Sequence, residues 1–278
     1  MDEEHTDLRR RRGRYGIDGS FDHAPPAVHA ATIGAVVVGL AAAAVAGMAR
    51  GRRTRGLVAG SAAATLAGGA VTYLHASRRG KFLVWADLLE GLRLKGDERL
   101  LDLGCGRGAV LMQAARLLPK GRAVGVDLWR SDQSGNSPEA TRRNARLEGV
   151  EDRVETLTAD ITKLPFPDGS FDVVVSNLVL HNLPGRAARR AAIDEAARVL
   201  RPGGRLLVAD LGFTRSYADR LRELGLRDVQ RRNLGWRMWY GAPWFPTHVV
   251  TAARPPAPVE AREPAAPARR RPARRTRP

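Results

Sequence analysis

Cysteine is nearly absent from this chain of 278 residues; Cys105 is the only one. That excludes a disulfide within the chain and any metal centre built from several thiolates. Acidic residues are also few: 29 Asp and Glu stand against 46 Lys and Arg, for a formal net charge of +17. Spread over a folded body, such an excess would mark a nucleic-acid binder. Here it sits in the flanks. Residues 1–81 hold 12 Lys/Arg against 6 Asp/Glu, and residues 254–278 hold 8 against 2, which leaves only a small excess between them. The overall bias towards Ala, Arg, Gly and Pro accounts for the charge without a nucleic-acid partner, and none is expected.

Charge is missing altogether from two long stretches. Residues 27–49 and 56–77 contain no Asp, Glu, Lys or Arg. Each is long enough as a helix to cross a hydrocarbon layer of about 30 Å. Between them lies the turn Arg50-Gly51-Arg52-Arg53-Thr54-Arg55. The pattern predicts a two-helix membrane hairpin over 27–78. An Ala-rich hairpin lying on the protein or on a membrane surface is the alternative. Small residues recur every fourth position, at Ala31, Ala35, Gly39, Ala43 and Gly47, and at Gly56, Gly60, Ala64 and Gly68. Such stripes allow two helices to approach closely. Eight cationic residues flank the hairpin's outer ends and four lie in its turn. That places both ends, and the domain that follows, in the cytoplasm.

Residues 1–26 are polar, Arg-rich and end on Pro25-Pro26; residues 254–278 are mostly Pro, Ala and Arg. Neither has the apolar content of a core, so both are expected to be disordered.

The region 79–253 alternates strand and helix patterns. Phe82, Trp85, Leu88, Leu89 and Leu92 share one face of a helix. Strands are expected near 99–103, 122–127, 154–158, 171–176, 205–209, 229–232 and 247–252. Ser137-Pro138-Glu139 is an N-cap followed by Pro at the first helical position. This alternation predicts an α/β doubly wound, Rossmann-like seven-stranded sheet, mostly parallel, with the last strand antiparallel.

Glycines at 104, 106 and 108 follow the first strand and open a helix, so backbone N–H groups can face a ligand there. Gly104, Gly106 and Ala109 also satisfy a dinucleotide fingerprint. The discriminating residue is Asp102: a carboxylate suits an amino group and not a pyrophosphate.

With these motifs in order, residues 82–253 resemble the class I S-adenosylmethionine-dependent methyltransferases of the small-molecule and lipid type, similar to the quinone and sterol methyltransferases. The resemblance rests on Leu101-Asp102-Leu103-Gly104-Cys105-Gly106-Arg107-Gly108, Gly125-Val126-Asp127, Ala159-Asp160-Ile161, the run 164–172, and Glu195 with 198–204. It implies S-adenosyl-L-methionine as cofactor and a small-molecule acceptor. Asp102, Gly104, Cys105, Gly106 and Gly108 would form the cradle. Asp127 would hold the ribose, followed by Leu128 and Trp129, and Asp160 with Ile161 would meet the adenine. Asn177 would lie near the methionine end. Cys105 is expected to contribute backbone and packing. Trp129 is open between covering the adenine and packing in its loop. His181 is the candidate general base, against a structural role. The Asn/Asp-Pro-Pro-Tyr/Phe signature for amino groups of bases is missing. The aromatic segment 236–245 suits an apolar acceptor or a membrane interface, or else a lid packed on its own sheet. Rival readings are a nicotinamide-dependent oxidoreductase, which has no use for Asp102 and Asp160, and a membrane-tethered cofactor-binding scaffold without catalysis.

Overall fold

The structure, a computed structural model, describes residues 7–19, 24–130 and 133–257. Strands β1 (Arg99–Leu103), β2 (Arg122–Asp127), β3 (Val154–Thr158), β4 (Phe171–Asn177), β5 (Leu200–Asp210), β6 (Arg227–Asn233) and β7 (His248–Ala253) form one sheet. Their order is β3-β2-β1-β4-β5-β7-β6. β1 to β5 pair in parallel, and β7 runs antiparallel to both of its neighbours. The expected seven-stranded, mostly parallel sheet is present. The central strands are apolar on both faces because helices cover both: Leu100 and Val173 face one core, Leu101 and Val174 the other. β5 begins five residues earlier than expected. Pro202-Gly203-Gly204 does not break it but is absorbed where its register with β4 shifts, between Phe171 and Val173.

Helices α4 (Ala109–Arg116), α5 (Pro138–Glu148), α6 (Gly185–Val199) and α7 (Thr214–Glu223) flank the sheet. Ser137 caps α5 by accepting the Ala140 amide, with Pro138 at its first position. The order reverses between β1 and β4, which opens a crevice at their carboxyl ends.

Two apolar helices, α1 (Pro26–Ala49) and α2 (Arg53–His75), pack against each other. At 24 and 23 residues they are about 35 Å long. Both are long and apolar enough to cross a membrane. Nothing in α1 is buried, and in α2 only Gly56 and Ala63 are. Part of the small-residue stripe makes the contact: a Cβ on Gly47 would lie 2.9 Å from the Gly56 amide, and one on Gly56 as close to the Ala44 carbonyl. Gly39 and Gly68 meet nothing. α2 does not end before the α/β region. A π-helical turn, Ala76–Gly80, carries it into α3 (Lys81–Gly91). Gly80 is required there, because a Cβ would overlap the Arg237 carbonyl.

The expectation of a disordered segment over 1–26 fails for residues 7–19; residues 1–6 and 20–23 of that segment lie outside the described residues. Residues 7–19 form a strap across α3, α4 and α5. Leu8 and Tyr15 are buried in the same core as Phe82 and Trp85, and the Tyr15 and Phe82 rings are 5.0 Å apart. A strap without a ladder of its own needs other partners for its backbone. Glu148 accepts from the Arg12 and Gly13 amides and the Tyr15 hydroxyl at 2.6–2.9 Å. Asn144 bonds both backbone groups of Arg14, and Gln113 donates to the Leu8 carbonyl. These anchors lie on α4 and α5, so composition alone could not reveal them. Of the C-terminal tail expected to be disordered, residues 258–278 lie outside the described residues.

Candidate active site

A cavity of about 300 Å³ lies at the carboxyl ends of β1, β2 and β4. Asp102, Gly104, Cys105, Gly106, Asp127, Asn177 and His181 all line it. A smaller recess of about 50 Å³ shares Gly104, Asp127, Val179 and Asn182 with it and adds Leu128, Asp160 and Ile161. Ten of the twelve residues singled out in the sequence therefore line one of these two adjoining spaces. Gly108 and Trp129 do not line it.

The loop after β1 is built for close approach. Gly104, Gly106 and Gly108 all have positive φ, at 68°, 52° and 81°. A Cβ on Gly104 would lie 2.4 Å from Val179, so only glycine lets the β4 loop close over it. Gly108 instead serves the start of α4, where a Cβ would strike Met112. Cys105 is buried and its sulfur packs on Gly125. Burial, with Asp102 and Asp127 nearby, pushes its thiol pKa well up, away from reactivity.

Asp127 ends β2 and locks the loop. Its Oδ2 accepts the Gly106 amide at 2.8 Å and its Oδ1 the Trp129 amide at 2.6 Å. A carboxylate has about four lone-pair sites, so acceptor capacity remains for ligand hydroxyls. Asp102 is 2% exposed, and no Lys or Arg pairs with it among the described residues. Burial first, then the Asp127 charge, pushes its carboxyl up to about 8, with the Leu111 amide opposing. A buried acid facing a cavity without a counter-ion suits an arriving ammonium. In the recess, Thr162 donates twice to Asp160 and holds its carboxyl below the usual range. Trp129 turns away: its indole donates to Thr158 and the ring packs on the core. The residues present thus offer an amine acceptor, hydroxyl acceptors and a base-edge acceptor in sequence, and fit S-adenosylmethionine.

At the other end stands His181. Its Nδ1 lies 2.5 Å from Asp210 Oδ1, and its amide donates to Asp210 Oδ2. Asp210, at the end of β5, is fully buried and also receives the Leu211 amide and the Tyr217 hydroxyl. With Nδ1–H given to Asp210, Nε2 is the nitrogen able to take a proton. Asn177 accepts the Trp85 indole N–H at 2.8 Å, tying α3 to the cavity edge.

Several lining residues went unseen in the sequence: Asp18, Tyr73, Lys81 and Gln133. Asp210, which holds His181 from beneath, had a usable signal, an acid closing an apolar strand. Asp18 had none. Of the aromatic segment, Tyr240 reaches the cavity and Met238 the core. Trp236 stacks on His75 at 4.8 Å, and Trp244 and Phe245 are exposed.

Comparison with known proteins agrees with this geometry. Residues 101–208 match a family model described as a methyltransferase domain. The chain is 39% identical over 148 residues to 27-O-demethylrifamycin SV methyltransferase of Amycolatopsis mediterranei (strain S699), covering 50% of each chain. It is 35% identical over 128 residues to the ubiquinone/menaquinone biosynthesis C-methyltransferase UbiE of Dinoroseobacter shibae, covering 46% of this chain and 48% of that one. The chain thus spans about half the length of these relatives. Among solved structures, the [4+2]-cyclase SpnF is similar in fold, with a TM-score of 0.52 at 21% identity over 62% of this chain and 81% of that one. Residues 101–208 therefore form a methyltransferase domain, and the motif order and sheet topology around it are similar to those of the class I S-adenosylmethionine-dependent methyltransferases.

Proposed function

We propose that the protein transfers the methyl group of S-adenosyl-L-methionine to a small, apolar or lipid-like acceptor at a membrane surface. The observation that carries this reading is that one cavity joins the Asp102/Asp127 cradle to the His181–Asp210 pair. Bound in the cradle, the cofactor supplies a methyl on a positively charged sulfur, open to displacement by an acceptor. Asp102 gives up its proton and holds the cofactor's ammonium. Asp127 would accept from the ribose hydroxyls, and Asp160 from the adenine amino group. His181 Nε2 would take the acceptor's proton as the acceptor–methyl bond formed and the methyl–sulfur bond broke, with S-adenosylhomocysteine as the leaving group, and Asp210 would steady the resulting imidazolium. Leu178, Val179 and Leu211 give the cavity an apolar stretch of lining beside His181. Alignment supplies most of the acceleration, because methyl transfer from a sulfonium needs little more than a positioned nucleophile.

The hairpin supports the membrane part of the reading: α1 and α2 expose Val36, Val38, Val45, Leu57, Val58 and Val71. In this reading they span the bilayer with both ends cytoplasmic, and Trp244 and Phe245 rest at the interface. Incubating purified protein and membranes with methyl-labelled cofactor, then extracting lipid, protein and nucleic acid separately, tests it. Label is expected in the lipid extract; label confined to RNA or protein would refute the acceptor class.

A further inference from the structure

The cavity wall facing the glycine loop comes largely from outside residues 101–208. Asp18 of the strap is its hub. Asp18 Oδ1 accepts Lys81 Nζ at 2.6 Å and Gln133 Nε2 at 3.1 Å. Its Oδ2 accepts the Tyr240 hydroxyl at 2.9 Å, and its amide donates to Ser77 Oγ at 2.8 Å. The Tyr73 hydroxyl donates to its carbonyl. The strap, α2, the π-helical turn, α3 and the β6–β7 connection therefore meet on one residue. The Lys81 side chain is 2% exposed and that of Asp18 17%. An ion pair this buried gains little net stability once its lost hydration is counted, and hydrophobic replacements often do as well. A functional reason for its presence follows from the charges around it.

Among the described residues lining the larger cavity, Lys81 is the single Lys or Arg, while Asp18, Asp102 and Asp127 are all acids; Arg130 lines the adjoining recess. An amino-acid end entering this cavity brings an ammonium and a carboxylate. Asp102 suits the first. None of the acids can take the second. The Lys81 ammonium has three donors, and the one placed on Asp18 leaves two. Tyr240 and Gln133, each donating to Asp18, help fix that carboxylate, and through it the ammonium.

We propose that Lys81 binds the methionine carboxylate of the cofactor, and that Asp18 is a positioning residue that holds the Lys81 ammonium at the cavity wall. The proposal rests on the reading of the cavity as an S-adenosylmethionine site. It makes the strap and α3 part of the cofactor site, so the domain matched at 101–208 is incomplete without them.

Calorimetry with two ligands tests it: S-adenosylhomocysteine, and its decarboxylated analogue, which differs only in lacking the carboxylate. Wild-type protein is expected to prefer S-adenosylhomocysteine by about 10- to 100-fold, the range for a hydrogen bond to a charged group. Lys81→Met should abolish that preference, weakening S-adenosylhomocysteine and leaving the analogue unchanged. Asp18→Asn should reduce the preference several-fold and likewise spare the analogue. A merely structural role would weaken both ligands equally in either variant, and that result overturns the proposal. Equal binding of the two ligands to wild-type protein overturns it as well and leaves the cofactor reading intact. Binding of neither ligand to wild type overturns both. Lys81→Met leaves Asp18 buried without its partner and can fail to fold. The double variant Lys81→Met/Asp18→Asn removes both charges together and carries the same expectations.

Discussion

Asp102 is the residue on which the cofactor reading can be tested most sharply. Burial first, then the Asp127 charge, push its carboxyl up to about 8, and the Cys105 thiol is buried beside it. A bound ammonium favours the ionised form. Below pH 8 the proton must therefore leave as cofactor binds, and affinity should rise about tenfold per pH unit, or about 100-fold from pH 5.5 to 7.5. Asp102→Asn keeps the shape and removes the charge. Its affinity for S-adenosylmethionine should be flat over that range and about 10- to 100-fold weaker than wild type at pH 7.5. Stability moves the other way. The folded pKa is raised, so the folded state holds a proton that the unfolded chain has released between about pH 4 and 8. The contribution of Asp102 to stability is complete below about pH 4 and is lost as pH rises through 8. At pH 7, roughly three pH units above the unfolded pKa, the loss amounts to about 4 kcal/mol, which the Asn variant should recover in large part. Calorimetric titrations at four pH values and urea melts of both proteins make the comparison. A wild-type affinity independent of pH, with a variant no more stable, would refute the argument.

Other outcomes follow from the same geometry. His181→Ala and Asp210→Asn should each lower kcat by about 10²- to 10⁴-fold while S-adenosylhomocysteine affinity changes little, because both act at the acceptor end; a loss in affinity as large as the loss in kcat would refute the base assignment. Gly104→Ala places a methyl against Val179 at a φ of +68°; it should abolish cofactor binding and cost about 1–3 kcal/mol, read by calorimetry and thermal melts. Glu148→Ala strips the strap of three bonds and Arg116 of its carboxylate partner, leaving it the Asp7 and Arg10 carbonyls; a cost of about 3–5 kcal/mol is expected in urea melts, with new protease cleavage near residues 8–15. Val38→Arg with Val45→Arg alters only exposed positions of α1; membrane partitioning should fall on sedimentation while the melting of the α/β domain stays unchanged.

The sequence by itself determined the frame of the site. A strand, a glycine turn and a helix start are local events, written in adjacent residues, so Gly104, Gly106 and Asp127 could be placed without a structure. The periodicity of α3 and the uncharged runs of the hairpin are local in the same sense. The alternation of elements then fixed a parallel sheet, and with it the crevice at the ends of β1 and β4. Tertiary structure decided what shares that crevice. Asp210 is 29 residues from His181 in sequence, Lys81 is 63 from Asp18, and Tyr240 is 222 from it. No local pattern encodes such distances. The strap shows the reason most plainly. Leu8 and Tyr15 are isolated apolar residues in an Arg-rich stretch, with no period to betray a buried face. Their burial depends on a groove that exists only once α3, α4 and α5 have packed, and on Glu148 and Asn144 satisfying a backbone that forms neither helix nor strand.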